Sequence, residues 1–268
     1  MAGGLGALDP ADRCMFPLSD DNPTELTPYV TYALILACVA MWLLVQGAGM
    51  SEASLVSSVC GLGAIPGEIT GALIEGVVPL GEGNSCTIGG ATWSTLFTSM
   101  FLHGSWMHLI GNMWFLWIFG NNVEDSMGHG RFILFYLICG LVADFAHIAS
   151  DPTSPIPTVG ASGAISGILG AYFLLYPKAR VKTLIFLLII VTVRKVPAAL
   201  FLGFWFLLQL ASSFADGGGG GGVAFWAHIG GFVAGLALIR LFRNPELVSA
   251  KQRGVVLDRS QIRHGGWW

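Results

Sequence analysis

Six apolar stretches, each close to the length of a membrane-crossing helix, constrain this chain more than any other feature. A bilayer core asks for about 20 apolar residues per helix, within a range near 17 to 25. The stretches cover about residues 29–47, 106–123, 132–149, 160–176, 197–214 and 223–239. The fourth stops at Pro177, the fifth opens on Pro197 at a helix start, and the sixth stops at Arg240. The eleven-residue run Thr183 to Val193 is too short to span and lies between Lys182 and Arg194, so it is read as a segment lying at the membrane surface. Hydrophobic residues make up 54% of the chain and charged ones 11%, where a soluble domain carries about a quarter charged. A soluble globular protein is thereby excluded, and the expected fold class is an all-α polytopic membrane protein. The net charge of -3 and the lack of a long basic run argue against a nucleic-acid partner.

Lys and Arg concentrate in cytoplasmic loops, which gives an independent check on the spans. With the N-terminus inside, all thirteen fall on the inner side: Arg13, Arg131, Lys178, Arg180, Lys182, Arg194, Lys195, Arg240, Arg243, Lys251, Arg253, Arg259 and Arg263. The outer loops, roughly 48–105, 150–159 and 215–222, hold none. Six helices with both termini cytoplasmic follow. The expected organisation is a leader at 1–28, a six-helix domain at 29–240 and a basic tail at 241–268 that ends in Gly-Gly-Trp-Trp and could touch anionic lipid. The leader is acidic and poor in Arg, unlike a signal or transit peptide, which favours a prokaryotic plasma membrane. Cys60 and Cys86 share the outer loop, where a disulfide and two free thiols are equally open readings.

Polar side chains inside spans are expensive and default to functional hypotheses. His108 and Asn112 open the second span, Asp144 and His147 lie near the outer end of the third, Ser162 opens the fourth, and His228 lies early in the sixth. All fall in the outer leaflet on the topology above. Ser162 follows a loop and sits between glycines in Gly160-Ala-Ser-Gly163, which suits a nucleophile beside free helix-start amides, although an N-cap is the commoner use of Ser before an apolar helix. Gly163, Gly167 and Ala171 recur at every fourth position, as do Ala227, Gly231 and Gly235, and such small-residue stripes let membrane helices dock closely. Docking along them brings the Ser162 hydroxyl to the His228 imidazole, a credible general base. His108 and Asn112, four apart, project from one helix face, either as oxyanion donors or as interhelical glue. No HExxH is present, a histidine-only metal site is weakly supported, and Asp144 has no partner acid. Asp144 is read as a structural hydrogen-bonding residue rather than a third catalytic member.

These residues resemble the rhomboid family of intramembrane serine proteases. The resemblance rests on Phe101-Leu-His-Gly-Ser-Trp-Met-His-Leu-Ile-Gly-Asn112, Gly120-Asn-Asn-Val-Glu-Asp125, Gly160-Ala-Ser-Gly163 and Ala227-His-Ile-Gly-Gly231, in order, over about residues 90–240. It implies a six-helix bundle in which Ser162 is the nucleophile and His228 the base, a dyad with no required acid. It implies an oxyanion hole of His108, Asn112 and the Ser162 backbone amide, with Gly231 facing the fourth span. The implied substrates are single-pass membrane proteins, cut near the outer end of their transmembrane segments after lateral entry between the second and fifth spans. No metal or organic cofactor is implied, and the lipid bilayer is the other expected partner. A non-catalytic rhomboid-like protein that binds membrane clients is the alternative, disfavoured because Ser162 and His228 are both retained; a small transporter lacks its expected repeats. Three departures stand out: Trp93-Ser-Thr-Leu-Phe-Thr98 replaces a Trp-Arg pair of some bacterial members, Ser166 replaces an aromatic residue that supports the histidine, and six glycines, Gly217 to Gly222, fill the loop expected to cap the site. That loop is expected to be unusually flexible and to ease entry of water or substrate.

Overall fold

A computed structural model describes residues 15–81, 83–89, 93–187, 190–215 and 224–253. The glycine run, Cys14 and the end of the tail lie outside the described residues. In chain order the elements are β1 (Met15–Asp20), α1 (Tyr29–Ala40), α2 (Glu52–Leu62), β2 (Glu75–Gly81), β3 (Asn84–Gly89), α3 (Trp106–Phe115), α4 (Asn121–Met127), α5 (His129–Ser150), α6 (Ser162–Leu175), β4 (Arg180–Leu187), β5 (Ile190–Pro197), α7 (Ala198–Ala215), α8 (Phe225–Phe242) and α9 (Pro245–Gln252). A π-turn, Met41–Val45, extends α1, and another, Leu116–Gly120, joins α3 to α4 in one continuous rod. Gly128, at φ 82°, ends that rod in a conformation that only glycine adopts without strain.

Each of the six apolar stretches therefore carries a helix. By length and composition α5 and α8 suffice alone to cross a bilayer, whereas the helices over Tyr29–Val45, Ser162–Leu175 and Ala198–Phe214 are shorter and apolar. The all-α expectation needs amending, because two small antiparallel sheets accompany the helices. The run expected to lie along a surface forms the hairpin β4–β5, with β1 paired on the other side of β4. Its residues explain the strand form. Val, Ile and Thr are stiff at χ1 and favour strands, and Val181 and Thr183 are buried while Lys182 between them is exposed, the alternation of a half-buried strand. Between α1 and α3, Cys60 of α2 and Cys86 of β3 are joined by a disulfide, which decides a pairing that spacing alone had left open.

Helix α6 is the centre of the bundle. Nearly all of it is buried, from Gly163 to Tyr172 without a break, as expected for a helix that is apolar all round. Its neighbours instead expose large apolar side chains outward, among them Leu44, Leu200, Leu207 and Leu241, all more than 60% exposed. The close approach of α6 and α8 is made by backbone. A Cβ on Gly231 would fall on the carbonyl oxygen of Gly163, and one on Gly235 on that of Gly167. The glycines of α6 serve a third helix as well: a Cβ on Gly163 would come within 2.6 Å of Ala143 Cβ, and one on Gly167 would strike Cys139, both on α5. The two stripes thus do not simply face each other, since α6 presents backbone to α8 and its Cα hydrogens to α5.

At the end of α6 away from Ser162, a polar cluster ties β1, the start of α1 and α9 to the bundle. Glu124 of α4 accepts hydrogen bonds from the amides of Val30 and Thr31 at 3.0 and 2.8 Å, filling orphan donors at the start of α1. Asp125 accepts from the Leu26 amide and from Lys251 Nζ of α9, each at 2.8 Å. Asp20 of β1 accepts from Tyr172 Oη of α6 at 2.6 Å and from Asn122 Nδ2 at 2.8 Å. Burial pushes the Asp20 carboxyl up from 3.8 to about 6, against the Tyr172 hydrogen bond and the Lys251 charge, with Asp21 adding to the rise. The folded protein then holds this proton more tightly than the unfolded chain, so the contribution is complete below about pH 4 and is lost as pH rises through about 6. Between those values the melting temperature of the wild type should fall by a few degrees relative to that of Asp20→Asn; parallel curves would sink the assignment.

Candidate active site

Ser162 is the first residue of α6, and Ala161 occupies the N-cap. The serine side chain does not cap the helix. Its Oγ lies 2.8 Å from Nε2 of His228, one turn into α8. The amide of a helix's first residue has no intrahelical acceptor, so the Ser162 N–H is available beside its own hydroxyl. The serine side chain and the imidazole are each half-buried. The depth at which they meet is set by the glycine contacts between α6 and α8 described above.

His108 reaches the same place from α3. Ser105 caps that helix by accepting from the His108 amide at 3.2 Å, which fixes the first turn. The Gly104 amide approaches His108 Nδ1 at 3.4 Å, so Nδ1 is the acceptor and Nε2 carries the proton. Gly160, at φ 134°, gives the clearest measure of convergence. A Cβ placed there would lie 2.8 Å from His108 Nε2 and 3.5 Å from Ser162 Oγ, so one methyl-sized volume touches both, and any side chain would close it. Asn112, one turn further along α3, is 8% exposed, and its Nδ2 is buried with no hydrogen-bond partner among the described residues. A buried, unspent amide donor is costly unless an acceptor arrives. His103 stands behind this group: its backbone is clamped by Gln46 through bonds of 2.9 and 2.7 Å, and its ring meets His108 edge-on at 5.1 Å. Burial holds the His103 imidazole down at about 3, so it stays neutral and adds no charge at physiological pH.

The remaining residues singled out in the sequence are placed as follows. Ser166 lies one turn below Ser162 and donates to its carbonyl at 2.7 Å, without touching the histidine ring by hydrogen bond. Among the described residues Asp144 makes no hydrogen bond to His228, its buried Oδ2 has no partner, and His147 Nδ1 is likewise unpaired. The atom at His228 Nδ1 is instead Oε1 of Gln209, at 2.7 Å, from α7. Sequence reasoning missed Gln209, although a lone carboxamide within an apolar helix was the available signal. The Trp205 ring, also on α7, flanks the imidazole at 6.0 Å between centroids. Chemically, a hydroxyl in contact with an imidazole and a second histidine meet around one small volume, with an unspent amide one turn away on α3, a set suited to acyl transfer.

The rhomboid domain model matches residues 90–245. The chain is 40% identical over 164 residues to the rhomboid protease GluP of Bacillus subtilis, covering 61% of this chain and 30% of that protein. It is 31% identical over 90 residues to the putative rhomboid protease YdcA of the same organism, covering 34% of this chain and 45% of that one. It is 33% identical over 89 residues to the human mitochondrial presenilin-associated rhomboid-like protein, covering 32% of this chain and 24% of that one. The chain thus spans less than half the length of each of these relatives. With the domain matched across more than half of its own residues, the chain belongs to the rhomboid family.

Proposed function

We propose that this protein is an intramembrane serine endopeptidase that hydrolyses peptide bonds at or near the outer end of transmembrane segments of single-pass proteins. The observation that carries the reading is the 2.8 Å contact between Ser162 Oγ and His228 Nε2 at a helix start. Ser162 Oγ attacks the scissile carbonyl carbon while His228 Nε2 accepts its proton. The oxyanion is received by the Ser162 amide, His108 Nε2 and Asn112 Nδ2. Collapse expels the amine, which takes the proton from His228. Water then attacks the acyl ester with His228 as base, and the serine regains its proton. No metal or organic cofactor enters these steps.

The proposed setting is a prokaryotic plasma membrane crossed by six helices: α1, the α3–α4 rod, α5, α6, α7 and α8. The outward apolar side chains of α1, α7 and α8 support it, as does the gathering of basic residues at the end carrying β1, β4, β5 and α9. Both termini then lie on the cytoplasmic side and the dyad near the opposite face. The test is a purified-protein assay on a panel of tagged single-pass substrates, with the cut mapped by mass spectrometry and Ser162 probed by a fluorophosphonate. Wild-type cleavage near the outer boundary of a span is expected. A folded sample that neither cuts nor labels would move the assignment to client binding without catalysis.

A further inference from the structure

His228 needs one specific tautomer to act as base, with the proton on Nδ1 and the lone pair on Nε2. Nothing in the Ser162 contact enforces it, because a hydroxyl can both donate and accept. The second contact does. Gln209 Oε1 lies 2.7 Å from His228 Nδ1, and a carboxamide oxygen can only accept, so the proton is held on Nδ1. Gln209 is 1% exposed on α7, where an unpaired amide would be costly, and its reach to the ring crosses between two helices. The same helix contributes Trp205 against the imidazole, so α7 fixes both the plane and the protonation pattern of the base.

We propose that Gln209 is a positioning residue for the base, the third member of a Ser162–His228–Gln209 relay that ends in a neutral acceptor rather than a carboxylate. This rests on the protease reading above and deepens it. A neutral acceptor orients the imidazole without the charge that would stabilise its protonated form. The other titratable groups near the ring are His108 of α3 and His147 of α5, while Asp144 of α5 offers it no hydrogen bond. The site thereby obtains an oriented base without a negative charge set against it. The role is filled from α7 where Ser166 leaves the ring unsupported from α6.

Three variants test it: Gln209→Leu removes the acceptor, Gln209→Asn shortens it out of reach, and Gln209→Glu replaces it with a carboxylate. General-base participation contributes about 10²–10⁴-fold, and loss of the orienting bond should forfeit about 10- to 100-fold in kcat with KM nearly unchanged. Gln209→Glu should retain activity and move the acid limb of the kcat/KM profile to higher pH by about one unit or more, because a facing carboxylate favours the imidazolium. A purely structural glutamine would lower stability and activity together and leave that limb in place. Independently of turnover, 15N-histidine spectra of the wild type should show His228 protonated at Nδ1 near neutral pH, and those of Gln209→Leu a shift toward the Nε2–H tautomer. Unchanged kcat in Gln209→Leu, an unmoved acid limb in Gln209→Glu, or a wild-type His228 protonated at Nε2 would each overturn the proposal. Should Gln209→Leu fail to fold, Gln209→Glu and the wild-type spectra still decide it. If Ser162 of the wild type neither labels nor cuts, the protease reading itself has failed; if it labels and all Gln209 variants match it, only the relay falls.

Discussion

Ser162→Ala and His228→Ala are each expected to lower kcat/KM by about 10⁴-fold or more, and the double variant to be no slower than either one alone. Nucleophile and base act as a unit: once the hydroxyl is gone there is no proton for Nε2 to accept, and without the imidazole the hydroxyl is a poor nucleophile at neutral pH. Additive losses would mean that the 2.8 Å contact is a packing feature rather than a reacting pair. Ser162→Ala removes no buried apolar volume from α6, so its thermal melting should stay close to wild type, whereas His228→Ala takes the imidazole away from buried Gln209 Oε1 and should melt somewhat lower. Fluorophosphonate labelling separates the two residues, since it requires the serine and is only slowed by loss of the histidine.

The second large effect is structural. Gly231→Val and Gly235→Val should each destabilise the protein by about 3 kcal/mol or more and abolish activity, because the new Cβ would occupy the position of a carbonyl oxygen on α6. Backbone cannot swing aside as a flexible side chain can, so relief requires α8 to move off α6 and carry His228 away from Ser162. Gly61→Ala on α2 is the control, with open space within 4 Å of the added methyl, and it should be neutral or slightly stabilising. Equal melting temperatures for Gly231→Val and Gly61→Ala would show that the helices can separate at little cost.

The helices were legible because apolar length and proline punctuation are local properties. Ser162 and His228 were legible together because both flank small-residue stripes, although the stripes turned out to divide their contacts between α5 and α8 rather than simply facing each other. The hairpin β4–β5 was not legible as such. An eleven-residue apolar run between basic residues fits an interfacial segment and a strand pair equally until β1, more than 150 residues earlier, is known to pair with it. Gln209 escaped for a related reason: a carboxamide in an apolar helix has no spacing signature, and its partner lies on another element. Whether Ser162 is the N-cap depended on a one-residue placement of the helix start, which is set to within only a residue or two by sequence pattern.

The bond between Cys60 and Cys86 has a bearing on how the protein is made. Cytosolic reductants keep thiols open, so a pair of this kind closes only where the compartment is oxidising. On the proposed topology the loop that holds it must first be carried across the bilayer after α1 has been inserted. Closure then dates itself to a moment after translocation. On that topology the covalent link serves as a record of insertion, written into each molecule that reached the proposed orientation.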